Sequence, residues 1–360
     1  MRTSSIIKIP SLKILVWVAI TTLILGCSSD DDVDNPDVGI DTPSSIPGVF
    51  KIESDDNTYN VPYFSNYNLA EKNPSIDRLI IVLHGTGRTA ESYFQAMASA
   101  TKNAAAQENT LVIAPRFIMQ SDIGESGYGD NYLYWTNDGW KEGLGTAGSS
   151  GGGNPLISSY AVIDQLISQL VEDFPNLKNI VMAGHSAGGQ FFNRYAAVSP
   201  IHELTDLKGI SVKYIIANPS SYMYLNNERR IVGYDDLFRT PPRPTCGDYN
   251  EYKYGLEKLN EYMSQVETQT IREQYRNRNV VYLLGELDND PNSSDLDTDC
   301  AAMMQGSNRL ERGIIFYNYL KHFYGKSISE THSLHTVPGA GHDKARMFDS
   351  QQGRAVIFQD

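Results

Sequence analysis

The chain has 360 residues, 41% of them hydrophobic, with 43 acidic side chains against 30 basic and a formal charge of −13. That much apolar sequence supports a large buried core, and so acidic a surface repels phosphate backbones, which excludes nucleic acid as a partner. The three cysteines show no metal-ligand spacing with histidines, so neither a metal nor another cofactor is expected.

Taken in chain order, residues 1–26 place Arg2, Lys8 and Lys13 ahead of "ILVWVAITTLIL" and close on Gly26. A basic start, a short apolar stretch and a small residue at the cut describe an export signal. The stretch is shorter than the roughly 20 apolar residues of a membrane span. Cys27, directly after "LILG", resembles the lipobox of bacterial lipoproteins, which implies that Cys27 becomes an acylated N-terminus. Residues 27–47 are acidic, polar and interrupted by Pro and Gly, and read as a disordered tether. Their acidic run also resembles export signals of surface lipoproteins. The expectation is a body held at the outer membrane of the cell envelope by a lipid anchor only, facing either the periplasm or the cell surface. Without the three basic residues of the leader, residues 27–360 carry −16.

The body, residues 48–360, alternates two kinds of segment. "DRLIIVLHG" (from Asp77), "TLVIAPR" (from Thr110), "NIVMAGHS" (from Asn179), "VKYIIANP" (from Val212) and "NVVYLLGELD" (from Asn279) are short runs apolar on both faces. Such runs suit strands of a buried parallel sheet. Between them lie helical patterns, such as Ala161, Ile163, Leu166, Ile167, Leu170 and Val171 in "SSYAVIDQLISQLVEDF". Alternation of this kind predicts β-α-β crossovers and a doubly wound α/β sheet. Two segments break it: a glycine- and tyrosine-rich loop over 117–154, and an insertion over about 219–278.

"NIVMAGHSAGGQFFNRYAA" carries the chemistry. Ser186 sits in Gly184-His185-Ser186-Ala187-Gly188, between a strand-like and a helix-like run, where a tight turn leaves no room for side chains at the glycines. A serine presented on such an elbow is a nucleophile once a base takes its proton. Of seven histidines, His342 follows the last strand in the glycine-rich "PGAGHDKARMF", whereas His332 and His335 alternate within a strand pattern. The base needs an anion to fix its tautomer. Asp288, the first aspartate after Gly285, is the candidate, with Asp290 left open as a competitor. Backbone N–H groups of Thr86, in "LHGTG", and of Ala187 are the expected oxyanion donors.

"HGTG", "GHSAGG", "GELD" and "GAGH" at these positions resemble the serine α/β-hydrolase superfamily, with a weaker likeness to esterases of the poly(3-hydroxybutyrate) depolymerase and feruloyl esterase kind. The resemblance implies an eight-stranded, mostly parallel sheet with helices on both faces. It also implies a cap insertion after the sixth strand, where 219–278 falls. The order Ser186, Asp288, His342 matches the superfamily's nucleophile, acid and base.

Trp135 and Trp140, with Tyr222 in the insertion, are candidate stacking rings for a glycan or aromatic ester; packing of the loop on itself is the alternative. Cys246 and Cys300 are a candidate disulfide, as two remaining cysteines in an exported chain usually pair. The expected activity is hydrolysis of carboxylic esters on small-molecule, glycan or plant-derived substrates. An amide or peptide hydrolase with the same triad, and a non-catalytic glycan-binding lipoprotein, stay open.

Overall fold

The computed structural model describes residues 44–125, 128, 129, 131–149, 156–242 and 246–359. The leader, Cys27 and most of the tether lie outside the described residues. The first strand, β1 (Ile46–Ser54), begins inside the segment read as tether and forms a hairpin with β2 (Asn57–Ser65). Six further strands complete one sheet: β3 (Arg78–Leu83), β4 (Thr110–Pro115), β5 (Asn179–His185), β6 (Ser211–Ala217), β7 (Asn279–Gly285) and β8 (His332–Val337). Their order across the sheet is β1-β2-β4-β3-β5-β6-β7-β8. Only the β1–β2 and β2–β4 pairs are antiparallel; all other neighbours run parallel.

Period-two alternation of the strands divides the core in two. Leu79, Ile81 and Leu83 of β3, with Met182 of β5 and Tyr282 of β7, face one layer. That layer contains α2 (Ser159–Asp173), α3 (Ala187–Tyr195) and α5 (Arg309–Tyr324). Ile80, Val82, Val181, Ala183 and Leu283 face the other, against α1 (Ala90–Asn103) and the C-terminal helices α6 (Lys344–Asp349) and α7 (Gln351–Phe358). Burial on both faces is why these strands read as continuous apolar runs. α2 starts where Ser158 Oγ accepts from the Tyr160 N–H at 3.1 Å, an N-cap that satisfies one of the helix's free donors.

The segment over 219–278 begins in the core, with Tyr222, Met223, Tyr224 and Leu225 all buried. It then forms a two-residue ribbon, Arg229–Arg230 against Phe238–Arg239, and ends in α4 (Thr268–Asn277). The sheet order reverses around β3, which lies between β4 and β5. In open α/β sheets, ligands bind beyond the carboxyl ends of the strands at such a reversal. The loops after β3, β5 and β7 all leave that edge.

Candidate active site

The site is built at this edge, beginning with the elbow. Ser186 follows β5 directly and has φ 56° and ψ −120°, a left-handed conformation that costs a non-glycine residue roughly 1–3 kcal/mol. The surroundings hold it there: its N–H donates to Ala217 O at 3.0 Å, and its carbonyl accepts from the Gln190 N–H at 3.0 Å. The flanking glycines are required by close approach. A Cβ at Gly184 would stand 2.1 Å from Gly188 O, and one at Gly188 would stand 2.5 Å from Leu83 O. Ala187, Gly188 and Gly189 open α3, so their N–H groups have no acceptor within the helix and leave positive potential beside Ser186.

The loop after β3 meets the elbow from the other side. A Cβ at Gly85 would lie 3.6 Å from Ser186 Cβ and 2.5 Å from the Tyr93 hydroxyl. His84 fixes this loop. Its Nδ1–H donates to Gly85 O at 2.9 Å, and its Nε2 accepts from the Phe117 N–H at 3.1 Å. Those bonds require a neutral ring, and burial pushes its pKa down to about 3. Arg88 donates to Thr86 O at 3.2 Å and pairs with Asp122 at 3.3 Å, holding the Thr86 peptide next to the elbow.

His342 and Asp288 come from two loops docked on each other. The Leu287 N–H donates to Ala340 O at 2.8 Å, and the Gly339 N–H donates to Glu286 Oε2 at 2.9 Å. Buried Asn218, just after β6, accepts from the Gly285 N–H at 2.8 Å and donates to Gly341 O at 3.3 Å, tying both loops to the sheet. His342 Nδ1 stands 2.7 Å from Asp288 Oδ2. Asp288 is 6% exposed and sits 3.5 Å from the buried Arg309 guanidinium, which balances its charge. The His342 ring lies against that of His185, with centroids 4.4 Å apart, beside Ser186. His185 is buried against the Tyr93 hydroxyl at 3.3 Å. Burial, with His342, Arg309 and Lys344 nearby, holds it neutral, its pKa well below the usual histidine value. Asp290 is exposed and accepts from the Asn292 N–H at 2.9 Å in its own turn.

The proposed stacking rings are a correction. Trp135, Trp140 and Tyr222 are 1%, 0% and 0% exposed, so no ligand can stack on them. Trp135 Nε1–H donates to Ile157 O at 3.2 Å, and the Trp140 ring packs 4.4 Å from His84 and 5.7 Å from Phe117. Both rings pack among His84, Phe117 and Phe191, where burial of such large apolar surfaces outweighs display. Tyr222 stacks on Phe316 at 4.5 Å within the same core. Cys246 and Cys300 are adjacent but unbonded: the Cys246 thiol donates to Asp248 Oδ1 at 3.0 Å and lies within hydrogen-bond reach of Cys300.

Three contributors were missed in the sequence, two of them without a local signal. Arg309, 21 positions beyond Asp288, reaches the carboxylate only through the packing of α5. Tyr93 arrives from α1. Gln190 was legible in principle, since four residues past Ser186 puts it on the same face of α3.

No family model matches the chain, and no curated protein does. Among solved structures, poly(aspartic acid) hydrolase-1 from Sphingomonas sp. KT-1 is similar at 20% identity and a TM-score of 0.57, over 88% of this chain and 100% of that one. LpqC, a poly(3-hydroxybutyrate) depolymerase from Bordetella parapertussis, is similar at 20% identity and a TM-score of 0.56, over 88% and 91%. The fold is the α/β-hydrolase fold.

Proposed function

We propose that the protein is a serine hydrolase of carboxylic esters, exported and held at the cell envelope through lipid on Cys27. The observation that carries the catalytic reading is the 2.7 Å bond between His342 and buried Asp288, with the imidazole packed beside the strained elbow that presents Ser186. Both solved structures named above are hydrolases of polymers by name, which supports the same class.

The geometry gives each group a task. Asp288 accepts the Nδ1–H of His342, so the neutral ring's acceptor is Nε2. His342 takes the Ser186 hydroxyl proton as the oxygen attacks the ester carbonyl, and Asp288 stabilises the imidazolium that forms. The carbonyl oxygen becomes an oxyanion, for which the N–H groups of Ala187 and Thr86 are the donors, each worth about 3 kcal/mol when removed. His342 then gives its proton to the departing alcohol, leaving an acyl group on Ser186. Water, deprotonated by His342, releases the acid and restores the serine. His84 and His185, both kept neutral by burial, take no part in these proton transfers; they shape the loop and the elbow.

Attack on an amide would use the same groups. A polyanion such as poly(aspartic acid) suits this chain poorly: 27–360 carries −16, and carboxylates outnumber ammonium groups beside Thr86. A neutral ester fits better.

The test is hydrolysis of p-nitrophenyl acetate by the chain and by Ser186→Ala, with fluorophosphonate labelling. Turnover and labelling that both disappear in Ser186→Ala are expected, with a loss of at least about 10³-fold. Absence of turnover and of labelling in the parent chain, or full activity in Ser186→Ala, would overturn the reading. Release of the protein from membranes by Cys27→Ala tests the anchor.

A further inference from the structure

A cavity of about 280 Å³ opens beside Thr86, with Gln190, Lys253, Asp295, Asp297 and Asp299 on its wall. Its volume approaches the lower end of small-molecule sites. Gln190 is the informative residue. It is 4% exposed, one turn of α3 beyond Ser186. Its Oε1 accepts from Arg194 Nη2 at 3.4 Å and from Ser221 Oγ at 3.1 Å. A guanidinium only donates, so this contact fixes the amide's orientation. The Nε2 group is left without a partner among the described residues. It is also not among the atoms sealed from solvent, so it faces the cavity as a donor. Water occupies such an open donor until a ligand oxygen takes its place.

The opposite wall is the segment that follows Asp288. Ser220 Oγ accepts from the Asp297 N–H at 2.6 Å and donates to Asp295 O at 3.3 Å, holding this segment against the residues after β6. Lys253 lies 3.3 Å from Glu142, 3.7 Å from Asp297 and 3.8 Å from Asp299, and Lys141 pairs with Asp138 at 2.5 Å. The wall therefore offers carboxylate acceptors and ammonium donors side by side. A free carboxylate would meet the excess of acids, and a free ammonium would compete with Lys141 and Lys253 for Asp138, Asp297 and Asp299, which they already pair. Vicinal hydroxyl groups both donate and accept, and match such a wall without bringing charge.

We infer that this cavity is a subsite for a hydroxyl-rich, sugar-like part of the ester, with Gln190 Nε2 donating to a ligand oxygen and the Asp295–Asp299 segment accepting from its hydroxyls. The inference rests on the hydrolase reading for the identity of the scissile bond, but the binding event does not need turnover.

Two measurements separate the possibilities. Calorimetry on Ser186→Ala titrates methyl β-D-xylopyranoside against cyclohexanol, which has similar size and a single hydroxyl. Kinetics compare kcat/KM for a monoacetylated methyl xyloside with that for p-nitrophenyl acetate, in the parent chain and in Gln190→Glu. The glutamate keeps an oxygen for Arg194 and replaces the donor with an acceptor. Binding of the xyloside in preference to cyclohexanol is expected, weakened about tenfold by Gln190→Glu in the Ser186→Ala background. The ratio of xyloside-ester to p-nitrophenyl ester kcat/KM should fall by a similar factor, through KM. No preference for the xyloside, a ratio unmoved by Gln190→Glu, or binding of ethylammonium in its place would overturn the subsite. If the xyloside binds as described but neither ester is cleaved, the hydrolase reading fails and the subsite stands.

Discussion

Alanine at Gly188 should reduce kcat about a hundredfold while leaving the chain folded. Its Cβ would lie 2.5 Å from Leu83 O and 2.9 Å from both His84 O and Leu83 C. These are backbone atoms at the end of β3, so no rotamer change relieves the contact. Ordinary van der Waals contact begins at 3.4 Å, so the first turn of α3 has to retreat by about 0.9 Å from β3. Ser186 and the Ala187 N–H move with that turn, whereas the Thr86 N–H stays with β3. The two proposed oxyanion donors are thereby pulled apart. A displacement of about 1 Å at reacting groups costs on the order of 10²-fold in rate, or about 2.7 kcal/mol of transition-state stabilisation. The assay is steady-state hydrolysis of p-nitrophenyl acetate, with the thermal midpoint measured alongside. Gly341→Ala is the control: it adjoins His342, yet the nearest atom to its Cβ is Leu287 O at 4.0 Å, and its kcat should stay within about twofold. A Gly188→Ala protein with near-parental kcat and an unchanged thermal midpoint would refute the packing account of the elbow.

Asp288→Asn should lower kcat by about 10³–10⁴-fold, because an amide at this position favours the wrong imidazole tautomer; Asp290→Asn should leave kcat within about twofold, and the reverse ranking in the same assay would reassign the acid. Asp164 accepts from the hydroxyls of Tyr195 at 2.6 Å and Tyr262 at 2.5 Å, and burial raises its pKa from 3.8 to about 6. A carboxyl raised on folding destabilises the fold once ionised, so its penalty is full above pH ~6 and fades as pH falls toward ~4. The chain should therefore gain up to about 3 kcal/mol from this group on acidification; chemical denaturation across that window should show the gain shrinking in Asp164→Asn, and an identical pH slope would sink the assignment. Mild oxidation should join Cys246 to Cys300, closing a loop of about 55 residues and stabilising the chain by up to about 4 kcal/mol in the chain-entropy picture; maleimide counting by mass spectrometry on denatured Cys27→Ala protein should find two thiols before oxidation and none after, and two thiols in the oxidised protein would contradict it.

Patterns local to one segment were sufficient for much of this protein. The apolar runs of β3 to β7, the helical spacing of α2 and the two glycines around Ser186 each record a constraint acting within a few residues: burial on both strand faces, one buried stripe, and backbone approach too close for a Cβ. Those constraints are written where they act, so the sheet and the elbow were readable before any coordinates. Whatever depends on segments far apart in the chain was not. "GELDND" favours Asp288 as the first aspartate after Gly285 but leaves Asp290 open; the docking of the β7 loop on the β8 loop, through Leu287 with Ala340 and Glu286 with Gly339, puts Asp288 at His342 and leaves Asp290 in solvent. Trp135 and Trp140 look alike in sequence whether they serve a ligand or a core, because their exposure depends on what lies above them. Here it is His84, Phe117 and Phe191. Arg309 under Asp288, and the amide of Gln190 turned by Arg194 toward the cavity, are likewise outcomes of packing between helices. Hydrophobic period and steric exclusion are local properties of a chain, whereas the partner of a buried polar group is chosen by tertiary contact.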